Sequence, residues 1–267
     1  MQIKAQTWIL LRGLMREQRH WGDFPALFSE ALNNSDAINP VHVVTLDLPG
    51  NGQLFDSTSP TQVEAMAQFC RQHVTAMGLA PPYHLLALSL GAMVAVAWAD
   101  QHPQEIAAAV LINTSLRPFS PFHHRLRPRN YFRLCEMATL ASTARREALI
   151  LQMTSGNAAR HAEILPLWQQ YQAQYPVSRR NALRQLWAAS RYRAPLAKPT
   201  IPLLLLAGSQ DQLVNPACSE QLAVQWQTCL ITHPAAGHDL PLDDGPWLAT
   251  QVKHWLSTLD EAHTTMT

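Results

Sequence analysis

Apolar residues follow two rhythms along this chain. Short, mostly apolar runs, at Gln6–Leu11, Val41–Leu46, Tyr83–Leu88, 107–112, 201–207 and 229–232, read as strands. Between them the spacing becomes helical. Residues 21–32 place Phe24, Leu27, Phe28 and Ala31 on one face. A helix opened by Ser59-Pro60-Thr61 runs to Met77 with Val63, Met66, Ala67 and Cys70 in register, and 92–99 and 247–256 complete the series. Strands alternating with helices predict an α/β fold: a doubly wound, mostly parallel sheet with helices on both faces. Right-handed crossovers bring every strand C-terminus to one edge, where such sheets bind ligands.

The alternation stops between about 116 and 198. That segment has helical stripes, Ile164, Leu167, Trp168 and Tyr171 in one and Leu183, Leu186, Trp187 and Ser190 in another, and no convincing strand. It divides the chain into an α/β core, 1–114 with 200–267, and an inserted α-helical lid, 115–199, over the C-terminal edge of the sheet.

Composition narrows the class. Of 267 residues, 47% are apolar and 15% charged, enough for a large core and too apolar for disorder. A net charge of +1 gives no reason to expect nucleic acid, and the chain has no apolar run of membrane-spanning length. Residues 1–14 read as a first strand rather than a signal peptide. Cys70, Cys135, Cys218 and Cys229 are widely spaced, which suits free thiols in a reducing compartment and a cytoplasmic protein.

Candidate chemistry centres on Ala87-Leu88-Ser89-Leu90-Gly91. A strand that turns at once into a helix throws its middle side chain outward and needs small neighbours. The hydroxyl of Ser89 then stands beside free helical N–H groups that favour developing negative charge. A nucleophilic Ser needs a base, and the base an orienting acid. Asp211, after the run 201–207, supplies the acid; His238, after Gly237 and the last strand, supplies the base. Both fall at strand C-termini, in the order Ser, Asp, His. The N–H groups of Leu90 and of Leu14, after Gly13, are the expected oxyanion donors. Asp239, Asp243 and Asp244 are alternative carboxylates that suit capping of the last helix. His233, before Pro234, suits a structural role, and His20, His123 and His124 suit solvated surface. With no paired Cys, no His-x-x-x-His and no phosphate loop, the sequence calls for no metal and no cofactor.

Together, Arg12-Gly13-Leu14, Asp47-Leu48-Pro49-Gly50-Asn51-Gly52, Ala87-Leu88-Ser89-Leu90-Gly91, Gly208-Ser209-Gln210-Asp211 and Gly237-His238 resemble the motifs of the α/β-hydrolases, compact serine hydrolases with a helical lid. The resemblance spans the chain outside the lid. It implies cleavage of a carboxylic ester through an acyl-enzyme formed on Ser89, with a small-molecule ester as substrate. Within the same resemblance stand a C–C hydrolase or lyase acting on an anionic molecule, and a non-catalytic binding protein that kept the fold. Ser at position 89 excludes the Asp-nucleophile branches. The family usually has His where Arg12 and Asn51 stand and Gly where Ala87 stands, and its first hairpin is absent or reduced here.

Net charge conceals an asymmetry. Residues 115–200 hold thirteen Arg and one Lys against three Glu, a net of +11, which leaves −10 on the rest. Arg180, Arg184 and Arg191 fall near one helical face, as docking for an anionic substrate or an acidic carrier protein would require. Pairing of a solvated basic surface with the acidic core is the other expectation.

Overall fold

The computed structural model describes residues 6–33, 40–139 and 142–264. In chain order the elements are β1 (Gln6–Leu11), α1 (Phe24–Leu32), β2 (Val41–Leu46), α2 (Val63–Ala76), β3 (Tyr83–Leu88), α3 (Leu90–Gln101) and β4 (Ile106–Ile112). Five helices follow without a strand: α4 (Phe122–Arg125), α5 (Tyr131–Thr139), α6 (Thr143–Thr154), α7 (His161–Gln174) and α8 (Arg179–Arg191). The chain ends with β5 (Leu203–Gly208), α9 (Ala217–Trp226), β6 (Cys229–His233) and α10 (Leu240–Thr264). All six strands pair in parallel, in the order β2-β1-β3-β4-β5-β6.

Side chains alternate across each strand, so the same runs feed two cores. Ile9, Leu11, Leu85, Ala87, Leu111 and Leu205 pack with α2, α3 and α9 through Met66, Val94, Trp98 and Trp226. Trp8, Leu10, Leu86, Val110, Ile112 and Leu206 pack with α1 and α10 through Phe28, Leu248, Val252 and Trp255. Burial on both faces is why these strands are almost wholly apolar. It is also why α3, buried from Leu90 to Ala99, shows no polar stripe.

Strand order fixes the working edge. From β1 the sheet grows one way to β2 and the other way to β3, so the turns leaving β1 and β3 part there and open a crevice. Leu11 pairs with Ala87, which sets Arg12-Gly13 beside Ser89.

Some expectations shift. The helix expected from Ser59 starts at Val63, because Ser59 is buried in the preceding turn. There its N–H donates to Asn181 Oδ1 at 3.0 Å and its hydroxyl to Pro49 O at 2.6 Å. The last helix starts earlier than expected, at Leu240, and breaks its helical geometry at Asp244 before Pro246. Helix α9 was not foreseen. The stripe on α8 faces outward: Leu183 and Trp187 are 67% and 54% exposed, while Asn181, Gln185 and Ala188 are buried. Polar residues turn inward there because the core offers partners: Gln185 Nε2 donates to Asn51 Oδ1 and Ser59 Oγ at 2.8 and 3.0 Å. His20, expected on the surface, is buried against Trp168 and Tyr171 of α7. No helix among the described residues is long and apolar enough to cross a membrane.

Candidate active site

Ser89 occupies the turn between β3 and α3 with φ +55° and ψ −112°, a conformation costly for any residue with a side chain. The turn is held on both sides. Ser89 N–H donates to Ile112 O at 3.0 Å. Gly91 faces the carbonyls of Leu11 and Arg12 so closely that a Cβ would overlap them. Leu90 is the first residue of α3, where no helical carbonyl reaches its N–H. Ser89 itself is half-buried.

On the far side of β4, Asp211 follows β5 in a tight turn. Its Oδ1 accepts from the N–H groups of Leu213 and Val214 at 2.8 and 2.9 Å, and its Oδ2 meets His238 Nδ1 at 2.7 Å. Both side chains are almost wholly buried. Gly208 permits this closure, because a Cβ there would strike the carbonyls of Ala236 and Gly237. Burial is the largest influence on His238 and opposes its charge. The charge and hydrogen bond of Asp211, with the charge of Asp239, outweigh burial and the nearby Arg12, so the pKa is raised. No hydrogen bond links Ser89 Oγ to His238 among the described residues. Such contacts in an unliganded site often form only once substrate is bound.

Asn113, which the sequence reading missed, ties these parts together. It follows β4 with φ +46° and is 3% exposed. Its Nδ2 donates to the carbonyls of Gly237 and His238 at 3.0 and 2.7 Å, and its Oδ1 accepts from Gly208 N–H at 2.9 Å. One side chain thus fixes the loop carrying His238 to the strand that leads into Asp211, beside the Ile112 carbonyl that holds Ser89. A polar residue ending an apolar strand next to the Ser89 turn was the available signal.

The alternative carboxylates have other partners. Asp239 is paired with buried Arg12 through two hydrogen bonds of 3.0 and 2.5 Å. Asp243 accepts from Gly237 N–H, Gly156 N–H and Ser155 Oγ at 2.7, 2.8 and 2.6 Å, pinning the inserted helices to the His238 loop. Asp244 accepts from Trp247 N–H at 3.0 Å as a cap. His233 is structural, its Nδ1 accepting from Ala235 and Ala236 N–H.

The loop after β1 is set by the insertion. Met15, at φ +56°, donates its N–H to Gln185 Oε1 at 2.9 Å, and Asn51 Nδ2 donates to Arg16 O at 3.0 Å. Leu14, half-buried, lies between Gly13 and that anchor. Arg16 Nη1 meets Glu147 Oε2 of α6 at 2.7 Å and its guanidinium lies 4.4 Å from the Trp168 ring. Arg127 Nη1, from the segment between α4 and α5, donates to Asp211 O at 2.7 Å. Of the three arginines expected on α8, Arg180 is exposed and Arg184 Nε donates to Ser59 O at 2.5 Å. Arg191, also exposed, lies 5.1 Å from the Trp187 ring. They do not converge on Ser89 through any contact. No group of His, Cys, Asp and Glu among the described residues is arranged to hold a metal.

Solved structures with the same architecture are numerous. An enol-lactonase from Burkholderia xenovorans LB400 superposes with a TM-score of 0.76 at 17% identity, over 95% of this chain and 92% of that one. A thermophilic esterase from Thermogutta terrifontis gives 0.72 at 20% identity, over 96% and 90%. An esterase from Rhodococcus sp. ECU1013 gives 0.73 at 18%, over 96% and 91%. No curated protein matches the chain. The profile of the Alpha/beta hydrolase family matches residues 8–251, nearly the whole chain and every element built around the Ser89 turn, and the protein belongs to that family.

Proposed function

We propose that the protein is a serine hydrolase that cleaves a carboxylic ester through an acyl-enzyme. The observation that carries this reading is the 2.7 Å contact between His238 Nδ1 and Asp211 Oδ2, on the same sheet edge as a serine held at positive φ. Asp211 fixes the tautomer with the proton on Nδ1, which leaves Nε2 free to take the Ser89 proton. Ser89 Oγ attacks the ester carbonyl, and the oxyanion is held by the N–H groups of Leu90 and Leu14. His238 then protonates the departing alkoxide. Water, activated by the same imidazole, attacks the acyl-enzyme and releases acid and free Ser89. An alkoxide needs less assistance to leave than an amine, which favours an ester over an amide. The structural neighbours named above, two esterases and an enol-lactonase, belong to the same class of acyl chemistry. The inserted helices act as the lid, since α6 and α8 touch the loops on the edge that carries Ser89.

The test is labelling with a fluorophosphonate probe and mass mapping of the adduct. Modification of Ser89, lost in Ser89→Ala, is the expected result. An unreactive Ser89 in folded protein would favour a binding module that kept the fold.

A further inference from the structure

Three arginines meet at the base of the helical insertion. Arg117 lies where the chain leaves the sheet for the insertion, and Arg193 where it returns. The two pair as a parallel bridge, with Ala194 N–H donating to Arg117 O at 2.8 Å. Backbone pairing therefore holds two cationic side chains close together, whatever their charges prefer. Arg125 of α4 joins them, and with Ser120, Phe122 and Ser190 they line a cavity of about 380 Å³. That is within the roughly 300–1,000 Å³ of small-molecule pockets.

Arg125 is the most deeply buried of the three. It is only 8% exposed. Its Nη1 and Nη2 donate to the carbonyls of Ser190 and Ala189 at 3.3 and 2.6 Å, which ties it to the end of α8. Its Nε is buried and has no hydrogen-bond partner among the described residues. An unanswered donor on a buried cation is costly. Burial, and after it the charge of Arg117, lower the pKa of Arg125. None of the described residues lining the cavity is acidic. The ion pairs Arg145–Glu136 and Arg160–Glu163 lie elsewhere within the insertion. A cavity lined by three arginines and by no carboxylate is complementary to an anion with several oxygens.

We propose that this cavity binds an oxyanion of the phosphate class carried on a small organic molecule. Guanidinium forks match the oxygens. Phe122, with the prolines on either side of Ser120, supplies an apolar wall that a free ion does not need. None of the lining residues belongs to the proposed triad or its oxyanion loop, so the site does not depend on the esterase reading. An anion bound there bridges the outgoing and returning strands of the insertion and steadies its base.

Titration calorimetry with phenyl phosphate and with inorganic phosphate, at ionic strength held constant with sodium chloride, tests this. The expected result is saturable one-to-one binding, tighter for phenyl phosphate. In the double variant Arg117→Gln/Arg193→Gln both affinities fall by roughly tenfold or more, as loss of charge-assisted bonds requires. Its circular dichroism and its reaction with fluorophosphonate stay as in the parent. Arg193→Lys, which keeps the charge without the fork, falls between. Absence of saturable binding, or binding undiminished in the double variant, overturns the site. Equal affinity for inorganic phosphate overturns the organic ligand.

Discussion

Arg12 and Asp239, 227 residues apart in sequence, form a buried bidentate ion pair next to both halves of the proposed catalytic centre. Arg12 immediately precedes the loop of Gly13 and Leu14, and Asp239 immediately follows His238. The guanidinium also lies 4.8 Å from the Trp21 ring. The pair therefore sets the proposed oxyanion loop against the proposed base. Where the family usually has His, this chain has a permanent cation answered by a carboxylate. Removing one partner leaves an uncompensated buried charge, which costs about 3–5 kcal/mol. Arg12→Met and Asp239→Asn are each expected to lower stability in denaturant titration by that order. The double variant Arg12→Met/Asp239→Asn should lose much less than the sum of the two single losses. Additive losses would show that the two residues act independently.

The proposed triad makes a second prediction. Groups that act as a unit lose their effect together, so Ser89→Ala/His238→Ala should be about as slow as either single variant. Asp211→Asn should reduce kcat on the order of 10⁴-fold, because an amide favours the wrong imidazole tautomer. Leu213 and Val214 N–H can still donate to the amide oxygen, so the fold should survive. Multiplicative losses in the double variant, or a mild Asp211→Asn, would refute the assignment.

The strand ladder and the three candidate positions of the triad could be read from the sequence because each rests on local sequence. Tyr83–Leu88 is apolar except at His84 because both its faces are buried, and Ser89 is marked by the small residues its turn demands. The rest depends on neighbours brought together by the sheet. Asn113 means nothing until strand order places β4 between β3 and β5. Arg12 finds Asp239 only across the whole chain. The inward face of α8 was not legible, because its apolar residues mark the outward face instead. Asn181 and Gln185 are buried instead because Ser57, Ser59, Asn51 and Met15 present unpaired backbone or side-chain groups there.

In the proposed mechanism His238 must be neutral to accept the Ser89 proton, and its pKa is raised above the ordinary histidine value of about 6.5. Hydrolysis of a neutral ester should therefore fall on the acid side with a midpoint above that value in kcat/KM. Asp239→Asn removes one of the raising charges and should shift the limb to lower pH. Arg12→Met removes a lowering charge and should shift it upward. Movement of both variants in the same direction would exclude this electrostatic account.

His20 gives the opposite sign. It is buried beside Trp168, with its Nε2 3.0 Å from Arg16 Nη1, and burial first, then Arg16 and Arg12, lower its pKa well below the ordinary value. The native protein keeps His20 neutral while the unfolded chain takes up a proton near pH 6.5. Its contribution to stability is complete above that pH and is lost as pH falls from it toward the depressed native value. His20→Gln should flatten this part of the stability curve, measured by urea midpoints from pH 7.5 downward. An unchanged slope would place the acid sensitivity elsewhere.

The basic insertion is expected to act on substrate capture rather than on chemistry. Its net charge is +11, and α8 leaves Arg180 exposed while using Arg184 to hold Ser59 O. Fields from exposed charges act on encounter and are screened over roughly 8–10 Å at physiological salt. For an anionic ester, kcat/KM should fall as salt rises, while a neutral ester of the same acyl chain should change little. Arg180→Glu should raise KM for the anionic ester and leave kcat nearly unchanged, as loss of uniform binding does. Arg184→Glu should instead lower Tm and affect both esters alike, because it also breaks the contact with Ser59. If charged and neutral esters show the same salt dependence, the charge of the insertion serves its structure and not its substrate.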